Sequence, residues 1–544
     1  MGDLSDAEDQ ECHPTYEFPP ESTSDAKSLK EEPKYVVFHT MLMQLFCMFC
    51  FHCHDDNPEV SMQVNGTMVT VLQECAHCGK QFQWRSQPLV LGRFPAGNVL
   101  FSFSVLMAGA SISKMLLAMK HFGLSVISAR TFCYHQQKFL FPVILRHWEE
   151  QQQKLLSTLS LIKDSVWAGD GRFDSIGHST KFGTYTMLSP TLMKIVHFEL
   201  VQANEAGSSN AMELFGAKKC FTFLLSKGIR IPIFISDRHR GIAKWIRENQ
   251  PLTSHFFDLW HVARTICKKV LMASKEKGCE VLSSWVKNIK KHLYWCASST
   301  KLGFGALVVA KWESFLQHVT GSHKDHPNSL FKNCLHGEIK PRKWLKIGSP
   351  AYDKLLSICQ NKRILEDISK LSPDAQTSSL EAFHALLNHW HPKMICFSWM
   401  GTMCRHILAS LHFNENVKRD SRKSKDGKTY YHVKYPKFKL GEETVREITM
   451  KPTYKYVKEM SELLFTMQPQ ELKEVLDRYK KKTPELLNRQ FKERVGKTEA
   501  VSKFLARKKL TTEYYPPGED KLWFLKIISF SGNENLKVVL VLMS

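Results

Sequence analysis

The chain has 544 residues, 43% of them hydrophobic and 24% charged, an ordinary globular composition that excludes a collagenous, low-complexity or wholly disordered protein. Lys and Arg outnumber Asp and Glu by 75 to 53, a net charge of +22, and because residues 1–34 hold ten acids and three Lys, the remaining 510 residues carry a net +29. Such a surplus points to a polyanionic partner, nucleic acid first, since each phosphate contact releases counterions; ribosomal, membrane-surface and simply basic proteins share the signal.

Residues 1–34, rich in Asp, Glu, Ser and Pro, have few large apolar side chains with which to cover a core and read as a disordered acidic tail. This start lacks the basic segment and apolar stretch of an export signal, so the fifteen Cys are expected to be mostly reduced. Residues 41–88 read as a zinc-ribbon-like domain. Cys50-x2-Cys53 and Cys75-x2-Cys78 are CxxC pairs 21 residues apart, a spacing at which two tight knuckles can converge four thiolates on one Zn²⁺. Such a site is structural, since four thiolates leave no position for water. Cys47, His52, His54 and His77 compete as ligands, Cys47-x2-Cys50 is an alternative first knuckle, and scattered reduced thiols are the plainer reading.

Residues 98–150 form an apolar helical module. Leu100–Leu106, Ser111–His121 and Ser128–Phe141 read as helices broken at Gly109 and Gly123, compatible with a helix-turn-helix that would offer Arg130, Tyr134, His135, Gln136 and Lys138 to DNA. A plain helical packing module is the alternative. The apolar run Val99–Met119 contains Gly109 and Lys114, which favours a buried helical pair over a membrane span. The Gln/Glu-rich stretch 147–154 reads as a helix leading into a new domain.

From 160 to 413 the pattern is α/β. Ser165–Ala168, Gly183–Leu188, Lys194–Val201 and Ile231–Ile235 are β-type runs with a helical stretch, 210–227, before the last. Residues from about 262 to 376 are helix-like and basic, which between two parts of a sheet reads as an insertion. Residues 414–450 read as a basic aromatic hairpin or a solvated loop. Nine Lys/Arg, among them Lys418, Arg419, Arg422 and Lys423, meet two Asp between Val417 and Leu440, with Tyr430, Tyr431, Tyr435 and Phe438 interleaved and a turn signal at Asp426-Gly427. Residues 451–544 read as a helical C-terminal region.

Asp170 follows the first β-type run in Trp167-Ala-Gly-Asp170-Gly-Arg-Phe-Asp174, and Asp237 ends another in Ile231-Pro-Ile-Phe-Ile-Ser-Asp237. An acid at the carboxyl end of a buried strand is costly unless it binds something, and two on neighbouring strands repel. A divalent cation removes that conflict. Glu381, in the apolar helical stretch Ser378-Ser-Leu-Glu381-Ala-Phe-His384, could supply a third carboxylate from a helix packed on the sheet. Three carboxylates can hold two Mg²⁺ or Mn²⁺ ions about 3.5–4 Å apart for phosphodiester displacement.

These segments resemble eukaryotic DDE transposases with an RNase H-like core, especially the Mutator-like group. Asp170-Gly171-Arg172-Phe173 is similar to that group's first-Asp segment, Ser236-Asp237-Arg238-His239-Arg240-Gly241-Ile242 to its second, Asp258-Leu-Trp-His261 to its (C/D)xxH motif, and Ser379-Leu380-Glu381 to the setting of the final Glu. The resemblance covers roughly residues 160–400. It implies an α/β RNase H-like core with a large helical insertion between the second Asp and the Glu. Asp170, Asp237 and Glu381 would then be the catalytic metal ligands and Asp258 and His261 accessory groups, with Asp174 and His384 near enough in sequence to compete as ligands. The four-cysteine ribbon departs from the DNA-binding modules typical of that group.

The function implied is a transposon-derived transposase that binds DNA, cleaves a phosphodiester and joins the freed 3′-hydroxyl to target DNA. The alternatives are a domesticated, catalytically silent DNA-binding protein and an RNase H-like nuclease of repair or RNA processing. Expected partners are DNA, as transposon ends and target; a homo-oligomer is compatible with this, and no membrane partner is expected. A nuclear location follows from that function and from basic runs such as Lys418–Lys425. A zinc ubiquitin ligase fits less well, since four clear ligands cannot make a two-zinc arrangement.

Overall fold

The computed structural model describes residues 28–513 apart from 176–179, 209–210, 338, 340–341, 372–377, 438–440 and 486–494. Most of the expected acidic tail, Phe438, and the chain beyond 513 lie outside the described residues. The chain divides into two units, Met1–Pro484 and Glu485–Ser544. In the second, the described element is the helix Lys497–Glu513, with a Lys503–Glu499 pair one turn apart.

The first unit begins with helices α1 (Ser28–Glu31) and α2 (His39–Cys47) and an antiparallel ribbon of β1 (Glu59–Asn65), β2 (Met68–Glu74) and β3 (Gln81–Arg85). The register Asn65↔Met68 leaves Gly66-Thr67 as the hairpin turn, and Gly66 at φ +62 supplies the left-handed backbone it needs. A side chain at Gly66 would collide with Asn98, whose carboxamide accepts from the Thr67 amide at 2.7 Å and donates to the Asn65 carbonyl at 3.0 Å. The ribbon is thereby tied to the helical module. A short hairpin, β4 (Leu89–Val90) with β5 (Phe94–Pro95), leads into α3 (Ala96–Met107), α4 (Ile112–Phe122) and α5 (Ala129–His135).

The run Val99–Met119 is split at Gly109, φ +63, into parts of two helices, but the expected buried pair is half met, since α3 is largely buried and α4 has no buried residue; among the described residues no helix is long and apolar enough to cross a membrane. The third expected helix does not stop at Phe141. It passes through a π-turn, Gln136–Leu140, into the long α6 (Phe141–Ser160), and Pro142, which has no N–H to donate, stands directly after that irregular turn.

The central sheet has five strands in the order β10-β9-β6-β7-β8: β6 (Val166–Phe173), β7 (Phe182–Ser189), β8 (Lys194–Gln202), β9 (Ile233–Ser236) and β10 (Ser254–Phe257). The pairs β6–β7 and β7–β8 are antiparallel, whereas β6–β9 and β9–β10 are parallel. Strand β7 is buried along its whole length, as expected where both faces of a sheet are covered. On one face lie α7 (Met212–Ser226), α8 (Arg240–Asn249) and the end of α6, around Trp167, Tyr185, Phe221 and Phe234.

The other face carries Ala168, Leu188, Ile195 and Phe198, covered by α6, α14 (Ser378–Trp390) and α15 (Trp399–Asn416), with α16 (Lys455–Thr466) and α17 (Pro469–Lys480) packed on α6. Helices α16 and α17 therefore share the core of the sheet, through Tyr456, Met460, Leu464, Leu472, Val475 and Tyr479. Between β10 and α14 the chain builds a separate helical core from α9 (Leu259–Ala273), α10 (Leu282–Ser298), α11 (Gly305–His318), α12 (Pro350–Cys359) and α13 (Lys362–Ile368). It returns to the sheet edge where Phe257 bridges Leu371 and donates to the Lys370 carbonyl at 2.7 Å. After α15, Gly427 at φ +77 turns a hairpin closed by the bridge Lys423↔Thr429, and β11 (Tyr431–Lys434) then pairs β12 (Thr444–Glu447).

Candidate functional site

Asp170 sits where the sheet changes character. Parallel pairing of β6 with β9 ends at Gly169↔Ser236, so Asp170 and Asp237 are the next residues on adjacent strands, while antiparallel pairing with β7 continues to Phe173. The sequence expectation that the strand stops at Ala168 is corrected accordingly: Asp170 is inside β6, held there by Thr186 opposite, and terminal only with respect to β9.

A third carboxylate joins them from the opposite layer. Glu213, in the first turn of α7, brings an oxygen within 4.8 Å of oxygens of Asp170 and Asp237. Gly171 makes this approach possible, because a Cβ there would stand 2.9 Å from Glu213 Cγ. The neighbouring Gly169 likewise leaves room for the Tyr185 hydroxyl, 2.7 Å from where its Cβ would be. The two glycines flanking Asp170 both present that face, since side chains alternate along a strand.

The electrostatics are those of an uncompensated acidic site. Burial, then the charges of Asp237 and Asp170, push the Glu213 carboxyl up to about 8. Burial and the Asp170 charge raise Asp237 as well. The Tyr185 hydroxyl, 1% exposed, is pushed far up by burial and by the same three acids. Glu213 Oε1 and Tyr185 Oη are buried with no hydrogen-bond partner. Three crowded carboxylates with an orphaned oxygen fit a cation, and an all-oxygen donor set suits a hard one such as Mg²⁺ or Mn²⁺.

Helix α14 lies against this cluster, and Arg172 anchors it. The buried guanidinium donates to Asn388 Oδ1 at 2.7 Å and to the His391 carbonyl at 2.6 Å. His384 Nδ1 lies 3.4 Å from Asp170 Oδ2. Glu381 is half-buried one turn earlier on the same helix and is not among the oxygens lying within 4.8 Å of one another. Asp170 and Asp237 are therefore brought together as the sequence suggests, Glu381 is placed beside the pair on α14, and the residue that completes the close cluster is Glu213. Nothing in its sequence setting marked it, since an acid in a first helical turn is ordinary.

The accessory candidates have structural partners. Asp258 caps α9, accepting from the His261 amide at 3.1 Å, while its Oδ1 lies 3.2 Å from His261 Nδ1. This contact raises the His261 pKa, with Asp237 and Asp170 adding smaller contributions, so the imidazole lies within the field of the cluster. Asp174 accepts from the Lys181 and Phe182 amides at 3.2 and 3.1 Å and belongs to the β6–β7 connection.

The cysteine site is well formed. Sγ atoms of Cys50, Cys53, Cys75 and Cys78 lie within 4.8 Å of one another, with Cys50–Cys78 at 3.8 Å and Cys53–Cys75 at 3.6 Å. A tetrahedron with metal–sulfur bonds of about 2.3 Å has edges of about 3.8 Å. Both knuckles have one geometry: the Cys50 and Cys75 carbonyls accept from residues 54 and 79, which adopt φ of +61 and +64, and their amides donate to the carbonyls of Asp55 and Lys80. Backbone amides of Cys53 and His52 lower the Cys50 thiol, while burial and the neighbouring sulfurs raise Cys53, the split expected of crowded thiols that share one site. The buried Gln73 holds the first knuckle to β2 by donating to the carbonyls of Phe46 and Phe49 and accepting from the Phe51 amide. The cluster can bind a metal such as zinc, and Cys47 is exposed outside it.

Of the residues expected to face DNA, Arg130, Tyr134 and Lys138 are exposed on α5 and the π-turn. His135 and Gln136 are not available. His135 is 2% exposed, with Nδ1 2.8 Å from Ser102 Oγ, and Gln136 Oε1 accepts from Arg405, because these positions face α3 and α15. Lys418, Arg419, Arg422 and Lys423 are exposed on the hairpin with Tyr430, Tyr431 and Tyr435, and Arg422 stacks over Tyr430 at 5.3 Å.

No protein-family model and no curated protein matches the chain.

Proposed function

We propose that the protein is a transposon-derived DDE transposase with an RNase H-like core, acting on DNA by divalent-metal-dependent phosphodiester cleavage and strand transfer. The observation that carries this reading is the meeting of Asp170, Asp237 and Glu213 at the point where the sheet passes from antiparallel to parallel pairing. A helical insertion between Asp237 and Glu381, and the order first Asp, second Asp, helix-borne Glu, are what the resemblance implies.

Bound Mg²⁺ or Mn²⁺ would supply Lewis-acid polarisation of the scissile phosphate and of the attacking hydroxyl. Asp170 and Asp237 would hold the cation from adjacent strands, Glu213 from the opposite layer and Glu381 from α14. His384 Nδ1 orients the Asp170 carboxylate, and Arg172 fixes the helix that carries both His384 and Glu381. Asp258 holds His261 in place through its ring nitrogen, leaving the imidazole to balance negative charge at the site. The exposed cations of the α5 segment and of the aromatic hairpin would contact the DNA backbone.

A second reading, a silent DNA-binding protein on the same fold, draws on one observation: Glu381 lies outside the close carboxylate cluster. The deciding experiment is cleavage of supercoiled plasmid in Mg²⁺ or Mn²⁺ by the purified protein beside Asp170→Asn, Asp237→Asn, Glu213→Gln and Glu381→Gln. The proposal expects cleavage, lost in the Asp variants and in Glu381→Gln and shifted to higher metal concentration in Glu213→Gln, with DNA binding retained. DNA binding without cleavage, on plasmid and on precut ends alike, would leave either a missing cognate end sequence or the silent reading. Cleavage without joining of a precut 3′ end would favour a nuclease.

A further inference from the structure

Outside both sites, the helical insertion contains a second convergence of soft ligands. His318 ends α11, and from there to Ser349 none of the described residues is in a helix or strand. A connection of that length inside a compact fold needs something besides a core to hold it. Within it, His323, Cys334 and His336 return to His318, and one ligand atom from each of the four lies within 4.8 Å of the others.

The local backbone is built to make them meet. The Cys334 amide donates to the His323 carbonyl at 2.9 Å, and the His326 amide to the Lys332 carbonyl at 2.8 Å, so the segment folds back with His323 opposite Cys334. Gly321 at φ +85 reverses the chain directly after α11. The imidazoles of His318, His323 and His336 are arranged edge to face, each pair of ring centroids 4.9–5.0 Å apart. Edge-to-face contact is also how aromatic rings pack in an ordinary core; what marks a ligand set is that one nitrogen of each ring lies within 4.8 Å of the others and of the Cys334 sulfur.

The donor and acceptor pattern agrees. His336 Nδ1 lies 2.8 Å from the Gly337 carbonyl, which can only accept, so this nitrogen carries the proton and Nε2 keeps a free lone pair. Cys334 Sγ is 3.7 Å from His318 Nδ1, close to the nitrogen–sulfur edge of about 3.6 Å in a tetrahedral zinc site. His326 Nε2, 3.3 Å from the same sulfur, is placed to donate to a thiolate. His323 Nδ1 is buried with no hydrogen-bond partner. Trp344 covers His318 and His323 at 5.9 and 5.5 Å, limiting water on one side.

We infer that His318, His323, Cys334 and His336 form a second, structural zinc site that staples the 319–349 connection to the end of α11. Three imidazoles and one thiolate suit Zn²⁺ and leave no open position, so the ion is a cross-link and not a reaction centre. The site is independent of the carboxylate chemistry and of the cysteine ribbon.

The test is metal content of the full chain as purified, with Co²⁺ exchange as the spectroscopic probe. Two zinc equivalents are expected in the wild type, one in Cys334→Ser, one in His336→Gln, whose side chain is exposed and whose loss perturbs packing least, and one in Cys53→Ser/Cys75→Ser. Cobalt in that last variant should show charge transfer from a single thiolate, which Cys334→Ser then removes. One zinc equivalent in the wild type, unchanged in Cys334→Ser and His336→Gln, overturns the inference. So does a second equivalent that both variants retain while remaining folded by circular dichroism.

Discussion

Replacing Gly171 by Ala adds one methyl group to the strand that carries Asp170. The new Cβ would stand 2.9 Å from Glu213 Cγ and 3.1 Å from Cδ, against about 3.5–4.0 Å for carbon atoms in contact, so the Glu213 side chain must swing away. Backbone strain is not the issue, since Gly171 lies within an ordinary strand without positive φ. If Glu213 contributes a cation ligand, the expelled carboxylate costs at least the roughly 10–100-fold in Mn²⁺ affinity, about 1.4–2.7 kcal/mol, lost when a group that only orients the ligands is removed. Glu213→Ala should cost about the same, and the double variant no more than either, because both remove one carboxylate. The assay is a double-mutant cycle of Mn²⁺ affinity by titration calorimetry or electron paramagnetic resonance. Additive losses, or an unchanged affinity in Gly171→Ala, would refute the reasoning.

Three further outcomes follow from the packing. Arg172→Met should destabilise the protein by about 2–4 kcal/mol in denaturant titration, because Asn388 and the His391 carbonyl lose a buried cationic donor and α14 loses its link to β6. Asn98→Ala should cost about 1–3 kcal/mol and open the ribbon junction to limited proteolysis, since the Thr67 amide and Asn65 carbonyl lose their shared partner; an unchanged cleavage pattern would count against that junction. His391, 2% exposed, is held down to about 4 by burial and by Arg172 and Arg405. A depressed folded-state pKa contributes stability above the unfolded value of about 6.5 that is lost as pH falls toward 4, at up to about 1.4 kcal/mol per pH unit. His391→Gln should therefore flatten the stability profile by about 3 kcal/mol between pH 6.5 and 4, measured as the difference from wild type.

The parts of this molecule legible in its sequence are those whose chemistry is local. Each CxxC knuckle closes within six residues, so the four cysteines could be paired from spacing, although only the fold decides between Cys47 and Cys53 as the partner of Cys50. The apolar runs of β6 to β9 announced a sheet, and the two Asp at their ends announced a shared charge problem. The edge strand β10, Ser254–Phe257, carried too short and too polar a pattern to be recognised, and its place depends on β9 and on Leu371 more than 100 residues away. Glu213 became visible only once Gly171 was seen beneath it. His135 and Gln136 looked like a recognition face because helical periodicity does not say which side meets α3 and α15.

The late arrival of α14–α17 has a consequence for how the chain is made. The five strands are complete when residue 257 has been synthesised, but Tyr479, the last described residue of the core on one side of the sheet, comes 222 residues later. At about 5–20 residues per second, a ribosome would leave that apolar surface unfinished for roughly 10–45 s. The insertion, with its own core, can fold during this interval, while the nascent sheet needs a chaperone or the long amphipathic α6 as an interim cover. Ending translation between the insertion and α15 would release a chain with one face of its central sheet covered by α6 alone, so such shortened products should be cleared by proteolysis rather than accumulate as partial binders.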